Sequence, residues 1–104
     1  MDFVIDANVL IAALIKKNVN YHLFFFEKFR FFAPDYIFVE LANHKDEILQ
    51  KTRRLVEDFE KSIEILKLRI TVVPLEDLVP YLTEAEKISP DPADVAYFAL
   101  ALKL

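Results

Sequence analysis

The stretch Phe3-Val4-Ile5-Asp6-Ala7-Asn8-Val9-Leu10-Ile11-Ala12-Ala13-Leu14 decides the fold of this chain. Its first apolar residues predict a buried strand over residues 3–5, and the long apolar run after Asp6 predicts a buried helix. Asp6 is thereby placed at the carboxyl end of the first strand, where open α/β sheets bind their ligands. The stretch leaves a second interpretation open, because Asp6 or Asn8 can also simply cap the helix.

The composition excludes several classes of site. The chain has 104 residues, of which 55% are hydrophobic, so we expect one small domain over residues 1–104 with a sizeable core. Cys is absent, which excludes disulfides and thiolate chemistry, and Gly is absent, which excludes phosphate-cradling glycine loops. The apolar run over residues 9–15 is too short to span a membrane and lacks the basic flank of a signal peptide. We therefore expect a cytoplasmic protein.

Three β segments alternate with helical segments along the chain. Strands are predicted at residues 3–5, 31–33 and 70–73, the second stopped by Pro34 and the third by Pro74. Helices are predicted over residues 7–17, 21–29, 35–52, 53–68, 75–88 and 93–104. Asn18-Val19-Asn20 ends the first of them, and Pro80 falls early in the fifth, whose regular part is expected to start there. This alternation predicts an α/β fold with a short parallel sheet flanked by helices in three layers.

Two of the predicted helices have a clear apolar pattern. In residues 53–68 one face is apolar and is expected to be buried; it consists of Leu55, Phe59, Ile63 and Leu66. The last helix is apolar on almost every side, so we expect it to be buried on most of them. Asp91 is the expected N-cap of this helix, and Pro92 its first residue.

Three acidic residues stand out because each lies in apolar sequence: Asp6, Glu40 and Asp94. Burying a carboxylate is unfavourable unless it is paired, hydrogen-bonded or bound to a metal, and oxygen ligands of this kind suit Mg²⁺ or Mn²⁺. Structural interpretations stay open for each residue. Asp6 can be a cap, Asp94 an acid in the first turn of a helix capped by Asp91, and Glu40 a solvated side chain. His44 and Glu47, on the face of Glu40, are expected on the surface.

The segment Val4-Ile5-Asp6-Ala7-Asn8-Val9-Leu10-Ile11 resembles the opening strand and helix of the PIN domain family. Glu40, within Phe38-Val39-Glu40-Leu41, is similar to the second acid of that family. Asp91-Pro92-Ala93-Asp94-Val95-Ala96-Tyr97-Phe98-Ala99-Leu100-Ala101 resembles the helix with the third acid, which Asp94 matches. The three motifs occur in the family's order and extend over essentially the whole chain.

The resemblance implies a pocket of acids at the carboxyl edge of a parallel sheet. It implies Mg²⁺- or Mn²⁺-dependent cleavage of RNA, often as the toxin of a prokaryotic toxin–antitoxin pair, which would make an antitoxin protein a partner. Carried over, Asp6, Glu40 and Asp94 would be the catalytic metal ligands, and Asp91 would support the metal or only cap the helix. The net charge of −4 by itself disfavours binding to nucleic acid, and a bound cation would offset the negative charge of the acids locally.

The family pattern continues with a further strand and often a fourth acid, and the sequence stops at Leu104 before either. Two hypotheses follow: a ribonuclease of PIN type, or an inactive PIN-like module that assembles with itself or a partner. Without that strand, the first strand would present an open apolar edge. Ten Phe and four Tyr are many for a short chain to bury. We therefore expect a homo-oligomer.

Overall fold

The computed structural model describes residues 1–16 and 22–104. A parallel sheet of three strands forms the centre of this part, made of β1 (Asp2–Val4), β2 (Arg30–Pro34) and β3 (Ile70–Val73) in the order β1-β2-β3. The α/β class and all three strands are confirmed, with bounds one residue from the prediction at most. Phe3 pairs with Phe31, and Phe31 pairs with Ile70, so one row of side chains crosses the sheet.

Helices surround the sheet. In chain order they are α1 (Ala7–Lys16), α2 (Ile37–Asn43), α3 (Lys45–Thr52), α4 (Val56–Arg69), α5 (Leu75–Leu78), α6 (Leu82–Ile88) and α7 (Val95–Lys103), with 3₁₀ turns at Val79–Tyr81 and Pro92–Asp94. Within the described ranges, none of these helices has the length and apolar composition that a membrane crossing needs.

Apolar cores lie on both faces of the sheet, because successive strand residues point to opposite faces. Phe31 and Ala33 belong to a core shared with α1, α2, α3 and α4, where Leu10, Leu41 and Leu66 are buried. Phe32 packs into the other core, which α5, α6 and α7 complete; its buried members are Val73, Leu78, Ala85, Ala99 and Leu100. The arrangement has the three layers that the sequence predicts.

The single helix predicted over residues 35–52 is wrong, because the chain forms two helices that meet at His44. The His44 N–H donates to the Leu41 carbonyl at 3.1 Å, a bond to the third residue back that tightens the helix end. Asn43 and His44 are both weak helix formers, and the His44 ring bonds Glu47 on the exposed side at 3.1 Å. As predicted, His44 and Glu47 lie on the surface.

The predicted helix over residues 21–29 is wrong for residues 24–29, which form turns. The Arg69 guanidinium donates hydrogen bonds to the carbonyl oxygens of Phe24 at 2.6 Å and of Phe26 at 3.0 Å. A continuing helix would need both oxygens as acceptors for its own N–H groups. Phe24 then packs on Phe31, with ring centroids 4.7 Å apart. The predicted break at Asn18-Val19-Asn20, and Tyr21, lie outside the described residues.

The later helices need smaller corrections. Leu55 precedes α4 and is 65% exposed, whereas its expected partners Phe59 and Leu66 are buried. The helix predicted over residues 75–88 divides at Pro80, where the 3₁₀ turn separates α5 from α6. The last helix is less buried than expected: Ala99 and Leu100 are buried, whereas residues 101–104 are exposed.

Candidate functional site

The three predicted site acids reach one pocket from three separate parts of the chain. Asp6 lies between β1 and α1, Glu40 lies on α2 beyond the end of β2, and Asp94 ends the 3₁₀ turn that leads into α7. The pocket has a volume of about 310 Å³ and lies at the carboxyl end of the sheet; it is lined by Asp6, Ala7, Asn8, Glu40, Asp91, Ala93, Asp94 and Tyr97. Parallel strands bring their carboxyl ends to a shared edge, which is why residues so far apart in sequence line one pocket.

Asp6 is the N-cap of α1. Its Oδ1 accepts a hydrogen bond from the Val9 N–H at 3.0 Å, and its carbonyl accepts the Leu10 N–H at 3.4 Å. The capping interpretation of Asp6 is therefore correct. It does not remove Asp6 from the pocket, because the cap uses one carboxylate oxygen of two. The positive end of the α1 dipole also interacts favourably with a negative charge at this position.

Asp91 and Asp94 are at the two ends of the short 3₁₀ turn. Asp91 is the predicted cap, with its Oδ1 accepting the Ala93 N–H at 2.9 Å, and Pro92 follows it as expected. The turn places Asp94 directly before α7, where the sequence predicts it one turn inside the helix. Within residues 1–16 and 22–104 no hydrogen bond or ion pair involves the side chain of Asp94, which is half-buried and lines the pocket.

Glu40 is held by a tyrosine. The Tyr97 hydroxyl donates to Glu40 Oε1 at 3.3 Å, and the Tyr97 ring meets the Tyr36 ring edge to face, with centroids 5.9 Å apart. Burial raises the pKa of Tyr97, and the nearby carboxylate of Glu40 raises it further. The pKa of Tyr36 is raised in the same way, by burial first and then by Glu40 and Asp94. Both phenols therefore stay protonated beside the acids.

The donor set fits a hard divalent cation in its chemistry, because four carboxylates and no nitrogen or sulfur ligand line the pocket. With the side chains as they stand, no three acidic or His residues of the described ranges are close enough to hold one ion. Metal ligation by Asp6, Glu40 and Asp94 thus stays a prediction, and it requires at least some of these side chains to move closer when an ion binds.

A second pocket, of about 340 Å³, adjoins the first and shares Asp6, Asp94 and Tyr97 with it. We call it the edge groove; its other lining residues are Val4, Ile5, Val9, Phe98 and Ala101. The lining of the groove joins the end of β1, at Val4, to Val9 of α1 and to Phe98 and Ala101 of α7. The acidic pocket therefore opens, at one end, onto an apolar surface.

Sequence reasoning assigned no role to Tyr97 or Tyr36, and it offered Asn8 only as a possible helix cap. A signal for Tyr97 was present, since a residue three positions after Asp94 lies on the same face of a helix. No such signal exists for Tyr36, whose place beside the pocket depends on how α2 and α7 pack against each other.

Comparison with models of protein families gave a match. A family model described as PIN domain matches residues 4–104, which is nearly the whole chain. Neither the curated proteins nor the solved structures that were compared gave a match.

Proposed function

The chain belongs to the PIN domain family, and on that premise we propose that it is a divalent-metal-dependent endoribonuclease. The observation that supports this proposal is that Asp6, Glu40 and Asp94 all line one pocket. By the resemblance of their motifs, each of the three matches an acid of the family. We propose Mg²⁺ or Mn²⁺ as the cation, with these three residues as its ligands and Asp91 at the rim as cap and support.

The residues of the pocket divide the work between them. Asp6 and Asp94 stand at the N-termini of α1 and α7, where the positive ends of the helix dipoles interact favourably with negative charge. Glu40 extends from α2 and is oriented by the Tyr97 hydroxyl. When bound, the cation supplies an activated water and offsets the charge of the phosphate that approaches these acids. RNA as substrate, and a role as the toxin of a toxin–antitoxin pair, are the finer parts of this proposal and come from the family.

A cleavage assay on single-stranded RNA tests the proposal. Asp6→Asn is the sharpest variant, because Asn is as good an N-cap as Asp and removes only the charge. We expect Mg²⁺-dependent cleavage by the wild type and a loss of about a hundredfold or more in this variant. Asp46→Asn, an exposed acid on α3, is the matched control and should keep full activity. A wild type that cleaves equally well in EDTA would contradict the proposal.

Thermal unfolding with added metal gives an independent measurement. An ion that binds only the folded state stabilises it by about 2.7 kcal/mol at a hundredfold excess over its Kd. We expect Mn²⁺ or Mg²⁺ to raise the melting temperature of the wild type and of Asp46→Asn, but not of Asp6→Asn. An equal rise in all three proteins would show that the ion binds elsewhere.

The second candidate is an inactive PIN-like module that acts by assembly. Two observations favour it: the acids are not close enough to share an ion as they stand, and the apolar edge groove lies beside them. We propose that the chain self-associates through this groove, which is compatible with either function. We also propose an antitoxin as a protein partner. A cytoplasmic location remains a prediction from the absence of Cys. Absence of both cleavage and metal stabilisation would favour the inactive module.

A further inference from the structure

Tyr97 is the side chain that restrains Glu40. Its hydroxyl lies 3.3 Å from Glu40 Oε1, and the two residues are 57 positions apart in sequence. In the described part of the chain, no other hydrogen bond or ion pair involves the Glu40 carboxylate. A Glu side chain has several rotatable bonds, so without this contact nothing polar would select one orientation of Glu40 over another.

Tyr97 is itself well placed to orient another group. It lies in the first full turn of α7, a helix fixed to the sheet by the buried Ala99 and Leu100. The Tyr36 ring supports it from the side, with an interplanar angle of 83°. A group carried by a packed helix and held by an aromatic neighbour keeps its position better than one on a loop.

The two carboxylate oxygens of Glu40 differ in their contacts, because only Oε1 accepts the hydrogen bond from Tyr97. We propose that Tyr97 is a positioning residue for metal binding, which holds Glu40 through Oε1 and leaves Oε2 for the divalent cation. This assignment rests on the proposed metal site, and it adds a residue outside the set of acids. Carboxylates that bind metals are commonly oriented by a hydrogen bond from a neighbouring group, and loss of that bond typically lowers metal affinity about 10- to 100-fold.

A purely structural role for Tyr97 is the alternative, since half-buried tyrosines also serve as packing residues. Tyr97→Phe separates the two because it keeps the ring and its contact with Tyr36 and removes only the hydroxyl. Tyr81→Phe is the matched control: it makes the same change at a residue on the 3₁₀ turn before α6, which does not line the acidic pocket.

Mn²⁺ binding is measured by titration calorimetry on the full chain, with circular dichroism to confirm that each variant is folded. We expect the Kd for Mn²⁺ to rise about 10- to 100-fold in Tyr97→Phe and to stay at the wild-type value in Tyr81→Phe. In the cleavage assay the Mg²⁺ concentration for half-maximal rate should rise by the same factor, while the rate at saturating Mg²⁺ stays within a few-fold of wild type. A packing defect would not produce this split.

A double-mutant cycle tests whether Tyr97 acts through Glu40. If it does, adding Tyr97→Phe to Glu40→Gln changes the Mn²⁺ affinity much less than Tyr97→Phe changes that of the wild type. Independent, additive losses would overturn the assignment, as would an unchanged affinity in Tyr97→Phe.

The result for the assignment can be separated from the result for the proposed function. A wild type that binds Mn²⁺ but cleaves no RNA refutes the ribonuclease, and the Mn²⁺ affinities still decide the role of Tyr97. A wild type that cleaves RNA, together with a Tyr97→Phe variant of equal metal affinity, refutes the role of Tyr97 alone. A wild type that binds no Mn²⁺ refutes both.

Discussion

At Asp6, capping and participation in the acidic pocket occur in the same side chain. Oδ1 accepts the Val9 N–H at 3.0 Å, and the residue lines the pocket with Glu40 and Asp94. The two interpretations compete only when the residue is seen in sequence, where one side chain is given one role. In the structure, the helix N-terminus that needs a cap also provides a favourable environment for an anion.

The cap and the charge of Asp6 can be separated by stability measurements. Asp6→Asn keeps an acceptor for the Val9 N–H and relieves repulsion between carboxylates, so we expect metal-free stability equal to or above that of the wild type. Asp6→Ala removes the acceptor and should lower the free energy of unfolding by about 1 kcal/mol. Urea unfolding in EDTA measures both. If the Ala and Asn variants were equally stable, the hydrogen bond to Val9 would have no role in stability.

The raised pKa of Tyr97 should make the stability of the fold depend on alkaline pH. Its pKa in the folded chain lies above the ordinary value of 10.0, chiefly because of burial, so the folded state keeps a proton that the unfolded chain loses. The contribution of this phenol to stability is fully present below its pKa in the unfolded chain. It is lost as the pH rises through its pKa in the folded chain. As the pH rises above about 10, we expect the free energy of unfolding to fall more steeply in the wild type than in Tyr97→Phe. Parallel curves would contradict this.

Among the elements, the C-terminus of α3 has an unfavourable backbone conformation, because a residue other than glycine occupies a left-handed position there. Arg53 follows α3 with φ of 54°, in the left-handed region, and its N–H donates to the Leu49 carbonyl at 2.9 Å. Glycine usually occupies this position because a Cβ is crowded there, whereas this sequence contains no Gly at all. Arg53 is thus the point in the described backbone where positive φ is borne by a residue with a side chain.

Replacement of Arg53 by glycine should therefore stabilise the fold. We expect Arg53→Gly to raise the free energy of unfolding by about 1 kcal/mol, since the relief of the left-handed conformation outweighs the greater freedom of the unfolded chain. Gln50→Gly, the same change at an exposed position inside α3, should lower it by about 1 kcal/mol. Chemical denaturation of both variants is the measurement, and two changes of the same sign would refute the argument.

The sequence predicted elements well where the signal was local. β-branched or aromatic runs ended by proline gave β2 and β3. The placement of Asp6, Glu40 and Asp94 at one edge of the sheet was implied by the resemblance to the PIN domain family, whereas local pattern placed only Asp6 there. Prediction from the sequence failed where distant residues decide the outcome. The turns at residues 24–29 depend on Arg69, about half the chain away, and the bond from Tyr97 to Glu40 joins two helices. The break at His44 has no proline or glycine to mark it.

In the molecule as a whole, the side of the sheet beyond β1 is the surface that most resembles an interface. Among the described residues β1 pairs with β2 alone. The Met1 carbonyl and the Ile5 N–H both bond to β2. Because backbone groups alternate along a strand, those of Asp2 and Val4 point away from the sheet. Val9, which is 43% exposed, and Phe98 provide apolar walls along this edge.

The aromatic excess gives weaker support for an interface than the sequence suggests. Phe3, Phe24, Phe29 and Phe31 pack against one another inside the structure, with ring centroids between 4.7 and 6.4 Å apart. Internal packing therefore accounts for much of the Phe content, and the argument for self-association depends on the β1 edge and the edge groove.

Self-association through this edge predicts a specific effect of charge. A strand edge with unpaired backbone groups and apolar walls tends to recruit another chain, and a lysine on such an edge blocks pairing. We expect light scattering to give a mass above the 12.2 kDa of the single chain, and Val9→Lys to return it to that value. Leu68→Lys makes the same substitution at a residue that is 86% exposed on α4, far from the groove in sequence and on another element, and should leave the mass unchanged.

A wild type that stays at the single-chain mass over a wide concentration range would show that the β1 edge does not recruit a second copy. If both lysine variants dissociated the assembly, the interface would extend beyond the groove, and the edge would no longer explain it alone.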